Sequence, residues 1–178
     1  DGARARDSGL RYGLRIPVKR PGGYQVRVAV RDDRSKAVGS AAQFVDVPAV
    51  GKGRIAVSGV SLFDTSAPAA PMKTAFAAGS TMEYRCTIYD GRSDRAGGLT
   101  LRADVLRDGK LVQAGSPTSL EGAAGDAVPV GSVDVKGTVA LGTLPPGAYT
   151  LQIGVTPDAG ARARKARPAT QWVDFEVR

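Results

Sequence analysis

Among its 178 residues the chain has no histidine and a single cysteine, Cys86. Asparagine is missing too. Each absence removes a class of function. Without histidine the commonest general base and the commonest metal ligand are gone. One cysteine forms no intramolecular disulfide, and the cysteine count leaves the compartment undecided, because many bacterial surface domains do without disulfides. Without asparagine there is no Asn-x-Ser/Thr acceptor. Aromatic residues make up only 6% of the chain, so base-stacking platforms are scarce. No apolar run approaches the length that crosses a bilayer, and none repeats with helical period. Neither a phosphate-binding loop nor a Gly-x-Ser-x-Gly elbow occurs. Together these absences argue against an enzyme, and no cofactor or metal is expected.

What is present is turn chemistry and alternation. Glycine (23) and proline (11) are abundant, and between them lie short stretches with period two, which predict an all-β chain of many short strands. The net charge is +8, which keeps a protein soluble and favours polyanionic partners such as acidic polysaccharide, nucleic acid or anionic lipid. The chain begins at Asp1 without methionine or an apolar signal segment, as a processed product or an excised piece does.

One stretch occurs twice. Pro21-Gly22-Gly23-Tyr24 leads into Gln25-Val26-Arg27-Val28-Ala29-Val30, and Pro146-Gly147-Ala148-Tyr149 leads into Thr150-Leu151-Gln152-Ile153-Gly154-Val155. After a loop, each copy continues into a matching strand, Ala42-Gln43-Phe44-Val45-Asp46-Val47 in the first and Thr170-Gln171-Trp172-Val173-Asp174-Phe175 in the second. Before each copy stands another alternating segment: Leu10 to Lys19, interrupted by Pro17, and Ser132 to Leu144. Pro17 has no N–H for a ladder, which marks an edge strand or a bulge. A glycine-rich linker at residues 48–54 sets a boundary near residue 50. Residues 1–50 then form an incomplete sandwich unit with a candidate donor strand at 10–19, and residues 51–178 a complete one of about seven strands.

In the second unit, Met82, Tyr84, Cys86 and Ile88 are expected to face inward and Glu83, Arg85 and Thr87 outward. Asp108-Gly109 predicts a tight hairpin between Leu99–Leu106 and Lys110–Ala114. Residues 64–80 read as a loop, and so do residues 115–129, with one short strand near Val128. The pattern Leu144-Pro145-Pro146-Gly147-Ala148-Tyr149 resembles the corner of immunoglobulin-like domains at which a tyrosine hydroxyl bonds back to the turn backbone. A similar sequence stands there in fibronectin type III domains. The resemblance implies an immunoglobulin-like β-sandwich.

In that topology the strands around the repeated stretch are the last three of seven. The first unit therefore lacks the strands that would cover its apolar face: Leu10, Tyr12, Leu14, Ile16, Val18, Tyr24, Val26, Val28, Val30, Val45 and Val47. Each such side chain contributes about 1.5–3 kcal/mol when buried, so something must cover them. The chain is either cut from a longer protein, or folded back on its second unit, or complemented by another copy. Strand complementation gives head-to-tail assemblies that grow into fibres when the contact does not close. Leu10, Tyr12, Leu14, Ile16 and Val18 are its candidate self-assembly residues.

Phe44 and Trp172 occupy outward positions that match by sequence. They serve either as interface anchors or as cover for a seam. Arg162, Arg164, Lys165 and Arg167 form a basic cluster suited to a polyanion, and no aromatic residues interleave with it, so no nucleic acid is expected. Cys86 reads as an inert buried thiol. Asp32, Asp33, Asp90 and Asp94 match no calcium-loop spacing and read as turn aspartates.

The stretches Leu14 to Lys19, Ala42 to Pro48, Leu144 to Tyr149 and Trp172 to Phe175 are similar to the closing region of bacterial secreted proteins of acidobacterial type that carry a von Willebrand factor A-related domain. That resemblance implies an exported, cell-surface protein with adhesion or assembly roles. The metal-binding Asp-x-Ser-x-Ser of the A domain is absent, so no metal site carries over. The reading at this point is a non-catalytic extracellular structural protein that self-assembles head-to-tail into a fibre or pilus. The alternative is a monomeric accessory module whose basic cluster binds an acidic glycan or a protein.

Overall fold

A computed structural model describes residues 16–18, 20–47, 54–66, 72–91, 98–120, 131–158 and 167–178. These residues form twelve strands and no helix. Contacts divide them into two units, one within Arg15–Ala49 and one within Val50–Arg178.

The smaller unit is one antiparallel hairpin, β1 (Gly22–Arg31) on β2 (Val38–Val47). Its loop is built from its own aspartates. Asp32 Oδ1 accepts the N–H groups of Arg34 (2.8 Å) and Ser35 (3.3 Å), and Lys36 Nζ pairs with Asp33 at 2.8 Å. The Asp32 carboxyl is held below its ordinary value first by the Arg34 N–H and then by Ser35. β2 starts at Val38, four residues before the stretch that alternation alone marks.

Ten strands make the larger unit: β3 (Ile55–Val57), β4 (Ser61–Asp64), β5 (Ala75–Phe76), β6 (Thr81–Asp90), β7 (Leu99–Arg107), β8 (Lys110–Gln113), β9 (Thr118–Leu120), β10 (Ser132–Ala140), β11 (Gly147–Pro157) and β12 (Ala169–Val177). One sheet has the order β10-β6-β3, with β4 also on β6. The other runs β5-β12-β11-β7-β8, with β9 also on β7. Chain neighbours β6 and β7 lie in opposite sheets, as do β10 and β11, while β11 and β12 pair directly. This is the strand arrangement of an immunoglobulin-like sandwich.

The core lies between the sheets. Met82, Tyr84, Cys86 and Ile88 of β6, and Val133 and Val139 of β10, face Leu99, Leu101 and Val105 of β7, Leu151, Ile153 and Val155 of β11, and Phe175 and Val177 of β12. Period-two alternation delivers these residues to one side of each strand. The Asp108-Gly109 turn has φ of 51° and 73°, the signs a two-residue type I′ hairpin needs.

Two expectations are corrected. Residues 64–80 hold β5, whose Phe76 is buried and stands edge-on to Phe175 at 6.3 Å. Residues 115–129, expected as loop, hold β9 on the edge of β7; the strand expected near Val128 lies outside the described residues. Glu83 faces outward as expected but is nonetheless buried, because Lys136 and Arg85 close over it and bond its carboxylate. Lys136 first, then Arg85, holds that carboxyl below its ordinary value.

Candidate functional site

The repeated stretch builds the same local device twice. Tyr149 Oη donates to Pro145 O at 2.6 Å, and Tyr24 Oη donates to Arg20 O at 2.6 Å. Each tyrosine fastens its strand to the turn four residues back. The glycine two residues before each tyrosine sits at positive φ, 135° at Gly22 and 150° at Gly147, where a side chain is strained.

The surroundings differ. Tyr149 is buried and stacks on Phe175 at 5.6 Å. Tyr24 is exposed, as are its face-mates Val28 (54%), Val30 (63%) and Val45 (40%). In the register of the hairpin, Tyr24 stands opposite Val45, Val26 opposite Gln43 and Val28 opposite Ala41. One face of the two ten-residue strands thus presents Tyr24, Val28, Val30 and Val45 to solvent, with Val26 half-buried and Gln43 the polar side chain among them. Its equivalent in the larger unit, the inner face of β11 and β12, is covered by the opposing sheet.

Of the five candidate self-assembly residues, Leu10, Tyr12 and Leu14 lie outside the described residues, as does Lys19. Ile16 and Val18 flank Pro17 in a segment that is not a strand, and they are 58% and 43% exposed. Residues 16–18 are thus outside any strand, and the rest of the expected 10–19 strand lies outside the described residues. The larger unit supplies the reason. There the corresponding strand, β10, pairs with β6, and the smaller unit has no counterpart of β6. With no ladder partner and no N–H at Pro17, the segment has nothing to hold it extended.

The two outward aromatics are not equivalent. Tyr24 pairs with Val45 but Tyr149 pairs with Phe175, so Phe44, opposite Gln25, corresponds to Asp174, opposite Thr150. Trp172, opposite Gln152, corresponds to Ala42. A two-residue offset keeps both on the outer face, and both are exposed (70% and 57%). Phe44 covers Gly23, where a β-carbon would lie 2.4 Å from its ring. Trp172 Nε1–H donates to Gln152 Oε1 at 3.1 Å. Of the basic cluster, Arg167 is exposed, while Arg162, Arg164 and Lys165 lie outside the described residues.

An open cleft of about 580 Å³ lies where the chain leaves β6 between β3 and β4, lined by Ser58, Ser61, Arg85, Thr87, Asp134 and Lys136. Its groups satisfy each other. Thr87 Oγ1 donates to Asp134 at 2.6 Å, Ser58 Oγ accepts the Thr87 N–H at 2.8 Å, Arg85 lies over the Phe63 ring at 4.4 Å, and both cations bond Glu83. Cys86, beneath it, is 6% exposed, and burial, then Asp134, pushes its thiol up to about 11. Such a thiol is a poor nucleophile.

No protein-family model matches the sequence, and no curated protein matches it. Among solved structures, the chain is similar to the C-terminal domain of wzt, at 11% identity and a TM-score of 0.48, over 89% of this chain and 82% of that one. It is also similar to the CARDB domain of the PF1109 protein from Pyrococcus furiosus, a structure in complex with di-metal ions, at 14% identity and a TM-score of 0.37, over 75% of this chain and 100% of that one. At these values neither transfers a ligand, a metal or an activity to this chain.

Proposed function

We propose that the chain is a non-catalytic structural module of an exported bacterial surface protein, and that it associates head-to-tail through its N-terminal hairpin by strand complementation, as a fibre subunit does. The observation that carries this reading is the uncovered hydrocarbon face of β1 and β2, centred on Tyr24, Val28 and Val30. An isolated two-stranded hairpin is at best marginally stable in water, and an open apolar edge invites further strands. The donor in this reading is Leu10–Lys19 of a second copy, whose Leu10, Tyr12, Leu14, Ile16 and Val18 alternate as a complementing strand must. The cell-surface setting rests on the sequence resemblance to secreted proteins with a von Willebrand factor A-related domain.

Sedimentation velocity of the full chain tests the reading. Assemblies larger than a dimer that persist in 1 M salt are expected, and Val28→Asp combined with Val30→Asp should return them to monomer. A wild-type chain that sediments as a monomer at about 100 μM overturns complementation. In that case a salt-sensitive affinity for acidic polymers would favour the accessory-module reading instead.

A further inference from the structure

We propose that the outer face of the β12-β11-β7 sheet around Trp172 is a binding site for a uronate-bearing polysaccharide, with one sugar ring stacked on the indole and its carboxylate on Arg102. Three observations meet there. Trp172 is more than half exposed, and its ring N–H donates to Gln152 on the neighbouring strand, which favours one orientation of the indole. An oriented indole with a free face suits a ligand that has one apolar face of its own.

Gly154 is the second. It is paired with Thr170 on β12 and with Arg102 on β7, one step along the strand from the Gln152–Trp172 pair. A β-carbon there would meet nothing nearer than Arg102 O at 3.9 Å, and the residue is not at positive φ. Neither packing nor backbone requires glycine, although glycine weakens a strand interior and often marks a close approach by a ligand. Its absent side chain leaves a shallow floor beside the indole.

Arg102 borders that floor. Its Nε and Nη2 donate to Asp104 Oδ2 at 2.8 and 2.7 Å. Asp104 is 5% exposed and also accepts the Gly115 N–H at 3.0 Å. The buried carboxylate aims the guanidinium and takes two of its five N–H donors, while the side chain stays 51% exposed. Around the ring the register places the polar Thr150, Gln152 and Thr170, and the Asp174 carboxylate, which accepts the Thr150 hydroxyl at 2.8 Å. A lone aromatic among hydrogen-bonding groups fits a hydroxyl-rich pyranose better than the apolar centre of a protein interface. Arg102 lies diagonally across β11 from Trp172 on the same face, and the guanidinium donors that Asp104 leaves open suit the carboxylate of an acidic sugar.

Trp172 is the only tryptophan, so its fluorescence reports this site alone. Titration of the full chain with polygalacturonate is expected to change its emission saturably, with dextran at least tenfold weaker. In affinity electrophoresis through polygalacturonate, Trp172→Ala should lose retardation. Gly154→Val, which fills the floor with a better strand former, should weaken binding at least tenfold at a melting temperature no lower than that of the wild type. No saturable change in emission, an equal response to dextran, or wild-type retardation of both variants each overturns the proposal; the last would place binding at the basic cluster instead.

Discussion

At the scale of single residues, the two tyrosines and the cysteine carry the sharpest expectations. Tyr149→Phe keeps the ring on Phe175 and removes the hydroxyl's bond to Pro145 O, along with the long 3.4 Å bond it accepts from Arg107 Nη1. One such bond contributes about 1 kcal/mol, so the urea midpoint should fall by that equivalent with an unchanged m value. Cys86 makes a pH argument. Its thiol is raised from 9.0 to about 11 by burial and then by Asp134. Between those values the unfolded chain has lost a proton that the folded chain keeps, so stability falls as pH rises from about 9 to about 11. Urea unfolding under reducing conditions should show this slope, and Cys86→Ala should flatten it. Tyr84, also raised by burial, retains part of it. By the same shift, native Cys86 at pH 8 should react with iodoacetamide about 100-fold more slowly than the denatured chain, from thiolate fraction alone. The thiol was legible as buried from its place between Tyr84 and Ile88.

At the scale of elements, alternation and turn chemistry revealed most of the larger unit. β6, β7, β8, β10, β11 and β12 follow from period two and from the Asp108-Gly109 and Pro146-Gly147 turns. Gly109→Ala should cost about 1–2 kcal/mol, because at φ 73° a β-carbon crowds its own carbonyl although the space around it is open, and thermal unfolding would read it. Other elements left no local trace. β5 is two residues long and exists because Ala75 and Phe76 run parallel to Glu176 and Val177, a partner a hundred residues away. β9 has no alternation and is defined by the edge of β7. The match of Phe44 with Trp172 failed for a related reason: similar letters around each aromatic suggested one register, whereas the strand pairing anchored at each tyrosine sets another. The Trp172 surroundings were equally hidden, because Gln152, Gly154 and Arg102 come together only across three strands. The hairpin's exposed face, in contrast, was visible from Tyr24, Val26, Val28 and Val30 alone.

At the scale of the whole molecule, the larger unit covers its own hydrocarbon and the hairpin does not. Met82, Ile88, Leu151 and Ile153 are fully buried, while Val28 and Val30 are more than half exposed. Folding of the larger unit is therefore concentration-independent in this account, and order in the hairpin depends on association. Hydrogen exchange of the amides within Gly22–Val47, followed across a dilution series from about 100 μM to about 1 μM, tests this most directly. The account predicts protection that declines on dilution, and that disappears in the Val28→Asp, Val30→Asp chain, while β11 and β12 stay protected throughout. Hairpin amides that exchange slowly and at one rate across the whole series, in a species that sediments as a single chain, would contradict it.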